Sequence, residues 1–189
     1  MQSDSQTHPN TPLLSRRGFV LGLASAAGLL AASPVLAAVT PSAKRTLAFY
    51  HTHTGERAEI TYWRDGDYLA ENLQALNHLL RDHRTGEQTE MDRGLLDTLY
   101  ALQLSLGEPG EFEIISAYRS PKTNAMLRGK SDGVAKRSLH MQGKAIDIRV
   151  CSCDLQRLRK TAVSLKAGGV GYYPKSNFIH VDTGRVRYW

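Results

Sequence analysis

Ala145-Ile-Asp-Ile-Arg-Val150 and Phe178-Ile-His-Val-Asp182 are the two runs whose reading decides the fold. Both alternate with a period of two. Ile146, Ile148 and Val150 share one face and Asp147 and Arg149 the other; Ile179 and Val181 likewise oppose His180 and Asp182. As neighbouring strands they bring Asp147 and His180 to one point. His140, in Ser138-Leu-His-Met-Gln-Gly143, joins them from the loop before Gly143, where a missing side chain permits a tight approach. Two imidazoles and one carboxylate can hold zinc and leave a fourth position for water, which separates a catalytic zinc from a structural one. His140, Asp147 and His180 are therefore the candidate metal ligands. A single polar residue on a half-buried strand means little; the combination carries the reading.

Outward from these strands, the pattern predicts an α+β domain. Leu47 to Tyr50 and Ala58 to Trp63 read as strands joined through Thr54-Gly55, with a turn at Asp65-Gly66. Asp67 is placed to cap a helix carrying Leu69, Leu73, Leu76 and Leu80. A second helix starts near Asp92, buries Leu95, Leu99, Leu102 and Leu106, and stops at Gly107. Glu111 to Tyr118 reads as a strand leading to Arg119, and Ser120-Pro121 as a helix start. Leu155, Leu158, Ala162 and Leu165 mark a last helix stopped by Gly168-Gly169. Val170 to Tyr173 and Phe178 to Val181 then form a hairpin around Pro174–Asn177. Hairpin-like strands interrupted by helices favour an antiparallel sheet flanked by helices in a single domain. The leucine stripes are core, and His78 and His83 are read as surface or helix-end residues.

The N-terminus speaks of location. Ser15-Arg-Arg-Gly-Phe-Val20 reads as a twin-arginine export signal, followed by an Ala- and Gly-rich apolar stretch ending in Val35-Leu-Ala37, a small-residue cleavage pattern. Residues 1–37 are assigned to this signal, 38–45 to a linker and 46–189 to the domain. The expected location is the periplasm, with no stable membrane anchor after cleavage. Removing 1–37 takes away Arg16, Arg17 and Asp4, so the net charge falls from +6 to +5. A mildly basic surface suits anionic surroundings such as cell-wall polymers. Its dispersed charge, without a basic-aromatic stripe, argues against nucleic acid. Cys151 and Cys153, two apart, would close a strained ring and are read as free thiols.

Ser138-x-His140-x-x-Gly143-x-Ala145-x-Asp147 followed by the strand-borne His180 resembles the zinc peptidases of the D-Ala-D-Ala peptidase and Hedgehog-domain superfamily. The likeness is stronger toward murein endopeptidases of the MepK (YcbK-like) type. It runs from His53-Thr-Gly-Glu56 through Ser116-Ala-Tyr-Arg-Ser120, Gly133-Val-Ala-Lys136 and Gly168-Gly-Val-Gly-Tyr-Tyr-Pro174 to Trp189. The resemblance implies that fold, a Zn(2+) cofactor, peptidoglycan stem peptides as substrate, and hydrolysis of 3-3 diaminopimelate cross-links. It also places Arg119 beside the metal, as stabiliser of a developing oxyanion or clamp for a substrate carboxylate, tasks that suit a guanidinium's fork of donors. Several relatives carry a Glu three residues before the final His; here Asn177 stands there, and it cannot accept the proton. Two roles stay open for Asp182: general base, or a carboxylate that accepts a ring N–H from a ligand histidine and fixes its tautomer. Ser138 and Tyr172 are candidate substrate contacts, with Tyr173 beside them; His53 and Glu56 carry no assigned role. The competing functions are a D,D- or L,D-carboxypeptidase trimming stem peptides, and a non-catalytic zinc-containing wall-binding module.

Overall fold

The structure, a computed structural model, describes residues 44–107, 110–131 and 133–189; residues 1–37, read above as an export signal, and residues 38–43 lie outside the described residues. Eight strands and four helices follow in chain order. They are β1 (Lys44–His51), β2 (Arg57–Arg64), β3 (Asp67–Tyr68), α1 (Ala70–Leu79), α2 (Arg93–Leu106), β4 (Phe112–Ser116) and α3 (Pro121–Arg128). Then come β5 (Ala145–Val150), α4 (Leu155–Leu165), β6 (Gly169–Tyr173), β7 (Phe178–Asp182) and β8 (Arg187–Tyr188). Lys44 and Arg45, read above as the end of the linker, already belong to β1.

The strands form one sheet in the order β3-β2-β1-β4-β5-β7-β6-β8. Its pairings are antiparallel except β1 with β4 and β6 with β8, which are parallel. The first parallel pair needs a crossover, and α1 and α2 supply it. Leu95, Leu96, Leu99, Leu102 and Leu106 on α2 are buried with Leu158 and Ala162 of α4 against Ile146, Ile148, Ile179 and Val181. Each such leucine contributes about 2 kcal/mol relative to leaving it in water. Strand alternation turns Asp147 and His180 away from this core.

Local signals mostly agree with the elements. Asp92 caps α2 by accepting from the Gly94 N–H, and Ser120 caps α3 by accepting from Thr123. Two expectations differ. Asp67 lies in β3, and α1 is preceded by Leu69, which makes no side-chain cap. The turn of Asp65 and Gly66 returns the chain into a third strand before it can coil, so the helix begins later. The last helix closes on Lys166 in the left-handed region, and Gly169 already belongs to β6.

Candidate metal centre

β5 and β7 are adjacent and antiparallel, with Asp147 directly opposite His180. On its other side β5 meets β4, where Ile114 pairs with Ile148 but Ser116 pairs with Asp147. The extra residue, Ile115, makes a bulge beside Asp147, a device that re-aims strands next to sites. His140 comes from a 3-10 turn, Leu139–Gln142, whose start is capped by Ser138 Oγ accepting from the His140 N–H. Gly143 closes that turn at φ 66°, and a Cβ there would lie 2.5 Å from the Glu90 carbonyl oxygen. Only glycine lets the turn sit so close to the segment before α2.

The three side chains converge. His140 Nε2 is 3.2 Å from His180 Nδ1 and 3.3 Å from Asp147 Oδ1, and His180 Nδ1 is 2.9 Å from the same oxygen. A tetrahedral ion with ligands at about 2.0–2.1 Å sets neighbouring donor atoms about 3.3 Å apart, so this triangle is close to one face of such a tetrahedron. All three residues are buried, and the group can hold a metal ion.

The outward contacts orient both rings. His140 Nδ1 lies 2.7 Å from the Ala117 carbonyl oxygen. A carbonyl only accepts, so the proton sits on Nδ1 and Nε2 turns a lone pair inward. His180 Nε2 donates to Asp182 Oδ2 at 2.8 Å, so Nδ1 is the nitrogen that faces inward, donating to Asp147 Oδ1 when the ring is charged and free to turn its lone pair to an ion when it is neutral. Positive charge among these atoms, a proton on His180 or a metal ion, offsets the repulsion between nitrogen lone pairs and the carboxylate oxygen. The charges respond accordingly. Burial raises the Asp147 pKa, but His140 and His180 outweigh it and hold the carboxyl below its usual range. Burial lowers His180, yet Asp147 and Asp182 hold it up at about 8.

Asp182 is wholly buried, and both oxygens are engaged. Oδ2 accepts from His180 and from Arg187 Nη2 at 2.6 Å; Oδ1 accepts from the N–H groups of Gly169 and Gly184 and from Arg187 Nη1. Despite burial, these donors hold its pKa below the usual carboxylate range. It touches the ring nitrogen facing away from the triangle. With its oxygens engaged in this way, Asp182 is placed to hold the Nε2–H of His180.

Arg119 lies beside Asp147. Its N–H donates to the His140 carbonyl at 3.2 Å, and its Nη2 lies 3.6 Å from Asp147 Oδ2 and 3.4 Å from Ser116 Oγ. Burial lowers its pKa while Asp147 opposes that, and its buried Nε has no protein partner. A cavity of about 500 Å³ opens over the triangle, lined among others by Arg119, Arg137, Ser138, Tyr173, Arg187 and Trp189. Ser138 therefore borders the cavity while its oxygen serves the turn. Tyr172, read above as a substrate contact, does not line the cavity. It sits opposite Ile179 and packs with the core, because alternation sends its neighbour Tyr173 to the site face. Among the described lining residues Asp147 is the sole carboxylate.

A family profile described as peptidoglycan L,D-endopeptidase MepK matches residues 39–189. The chain belongs to this family. A peptidoglycan L,D-endopeptidase MepK of Escherichia coli strain K12 is 42% identical over 177 residues, 94% of each chain. The protein so named in Shigella flexneri matches equally, and a probable one from Haemophilus influenzae is 44% identical over 177 residues, covering 93% of this chain and 92% of its own. No solved structure gives a significant match. The chain is accordingly a peptidase, as membership of the MepK family and the single α+β domain imply. Among the described residues no helix is long and apolar enough to cross a membrane.

Other sequence assignments find structural homes in this MepK family member. Glu56 pairs with Arg81 at 3.0 Å and ties the β1–β2 turn to the end of α1. His53 stacks on His83 with centroids 4.0 Å apart. Cys151 and Cys153 are thiols not joined in a disulfide; the Cys151 thiol donates to Glu113, and Cys153 packs against the core. The reading from sequence missed Arg187, Arg137 and Trp189. Arg187 and Trp189 alternate just after the last ligand strand, a signal too short to separate from an ordinary chain end.

Proposed function

We propose that the chain is a zinc-dependent murein endopeptidase that hydrolyses peptide cross-links in peptidoglycan, at 3-3 links between diaminopimelate residues. The observation that carries this reading is the triangle of His140 Nε2, His180 Nδ1 and Asp147 Oδ1 on the floor of an open cavity. Two imidazole nitrogens and one carboxylate oxygen are a donor set that zinc accepts with a coordination position to spare. The names of the relatives support the substrate and the L,D bond. Because that polymer lies outside the cytoplasm, the reading includes export by the twin-arginine signal to the periplasm.

What zinc supplies when bound is a lowered pKa for a coordinated water, toward about 7, and polarisation of the scissile carbonyl. The chain's own residues do the rest. His140 and His180 would turn unprotonated nitrogens to the ion, because Ala117 O and Asp182 hold a proton on the far side of each ring and binding displaces the inward proton of His180. Asp182, clamped by Arg187, is a positioning residue. Arg119, partly buried beside Asp147, offers donors to the carbonyl oxygen as negative charge develops there, or to a carboxylate flanking the bond. Burial removes competing water and strengthens that interaction.

Incubation of cross-linked muropeptides with zinc-loaded protein, followed by chromatography, tests the reading. Conversion of dimers to monomers, abolished by a chelator and by His140→Ala, is the expected result. Shortened stems with intact cross-links would instead establish a carboxypeptidase, and binding without any cleavage a wall-binding module. Activity that survives both chelation and His140→Ala removes the metal mechanism.

A further inference from the structure

Gly171 lies directly opposite His180 in the β6–β7 ladder, on the site face of the sheet. A side chain there would collide with a ring: a Cβ would stand 2.7–2.8 Å from atoms of the Trp189 indole. The missing side chain thus makes a socket, and the indole fills it. Its ring centroid is 5.3 Å from that of His180. The indole is held from several sides. Its Nε1–H donates to Tyr173 Oη at 2.8 Å, and Tyr173 in turn stacks on Phe178 at 4.7 Å. The Arg187 guanidinium, already bidentate on Asp182, lies 4.9 Å from the indole centroid. The Trp189 backbone is fixed as well, donating to Val170 O and accepting from Tyr172 N. Yet Trp189 remains 47% exposed and lines the cavity. A large aromatic side chain pinned in place but left open to solvent beside metal ligands is an unfilled contact surface.

We propose that Trp189, seated on Gly171, is a substrate-positioning wall that packs against the hydrocarbon chain of the residue next to the scissile amide. The position decides what it touches. Consecutive residues of an extended peptide are about 3.8 Å apart. With the indole and His180 centroids 5.3 Å apart, a group lying on the indole is within about two residues of a carbonyl placed at the His140–Asp147–His180 triangle. The cavity is also two-sided in character. Arg119 and Arg137 line it together with an aromatic group formed by Trp189, Tyr173 and Phe178. A residue with a methylene chain ending in a carboxylate matches both sides at once, and diaminopimelate is of that kind. Trp189 would then set the register of the stem peptide, so that the amide falls on the metal while the carboxylate meets arginine. This assignment rests on the endopeptidase reading above.

Steady-state hydrolysis of a purified cross-linked muropeptide dimer by the zinc-loaded full chain tests it, with zinc content measured for every variant. Trp189→Ala is expected to raise KM about tenfold, the scale of one lost aromatic packing contact, with a smaller change in kcat and zinc content unchanged. Trp189→Phe should recover most of the loss. Gly171→Ala, which fills the socket and displaces the indole, should raise KM without removing any cavity-lining side chain. KM within twofold of the unsubstituted chain for both Trp189→Ala and Gly171→Ala overturns the proposal. So does zinc loss in Trp189→Phe, which would make the indole a support of the metal rather than a substrate contact. If Trp189→Ala does not fold, Trp189→Phe and Gly171→Ala decide by the same criteria. Failure of the unsubstituted chain to split the dimer overturns the endopeptidase reading and the wall together, whereas an active chain with indifferent variants overturns the wall alone.

Discussion

Asp182 accepts the Nε2–H of His180 at 2.8 Å on the side of the ring that faces away from Asp147 and His140. That placement separates two jobs the sequence left together. A carboxylate able to take a proton from water must face the cavity with a free lone pair. Asp182 is buried, bonded to His180, to Arg187 twice and to two backbone N–H groups.

Asp182→Ala should therefore act first through the metal. Loss of such an outer partner typically weakens metal affinity about 10–100-fold. Titration with a competing chelator is expected to show that drop, with turnover restored in excess zinc. Near-normal zinc affinity with turnover still lost would return Asp182 to the role of general base.

Arg119→Ala should leave zinc in place, because its guanidinium lies 3.6 Å from Asp147 Oδ2 and outside the ligand triangle. Removing one donor to a developing oxyanion lowers kcat by about 10²–10³. Lysine keeps the charge but not the fork of donors, so Arg119→Lys should recover only part of the rate. Single-turnover rates at saturating muropeptide give the answer; a rate within tenfold of the original for Arg119→Ala would remove the residue from the reaction.

Gly143→Ala tests the backbone that delivers His140. The left-handed φ of 66° and the Glu90 carbonyl oxygen 2.5 Å from a Cβ both oppose a side chain. Destabilisation of about 1–3 kcal/mol is expected from the conformation and contact together. Urea unfolding would register it as a lower midpoint with unchanged slope. An unaltered midpoint would mean that the turn can move aside.

The imidazoles of His51, His53 and His83 predict an acid-sensitive fold. His53 stacks on His83, and both lie near His51, which is wholly buried. Burial, followed by the charge of Arg84, pushes His83 down to about 4, and burial also lowers His51. A histidine whose folded pKa lies below its unfolded value near 6.5 stabilises the fold above that value. The contribution is lost as pH falls from about 6.5 toward 4. The melting temperature should decline across that window, and His83→Gln should flatten the decline. An identical pH profile for the variant would show that His83 does not contribute.

Much of this was readable along the chain because the signals are local. The alternation of Ala145–Val150 and Phe178–Asp182, the caps at Asp92 and Ser120, and the glycine at 143 each depend on a few consecutive residues. They sufficed to nominate His140, Asp147 and His180, whereas Arg119 was nominated by family resemblance. Where a neighbouring strand was needed, the reading failed. Tyr172 and Tyr173 are indistinguishable by composition, and only the pairing of Gly171 with His180 shows that Tyr173 shares the site face. Asp67 looked like a cap because nothing local reveals that β2 waits to pair with it.

The sequence by itself determined which residues could be ligands and on which face of its own strand each one lies, since side-chain direction in a strand follows from backbone geometry alone. Only the tertiary structure decided which ring nitrogen turns inward, that Asp182 serves His180 from behind, and that the indole of Trp189 occupies the space above Gly171. Hydrogen-bond partners and ring packing are set by strand register and by the bulge at Ile115, which join residues far apart in the chain and leave no periodic trace in it.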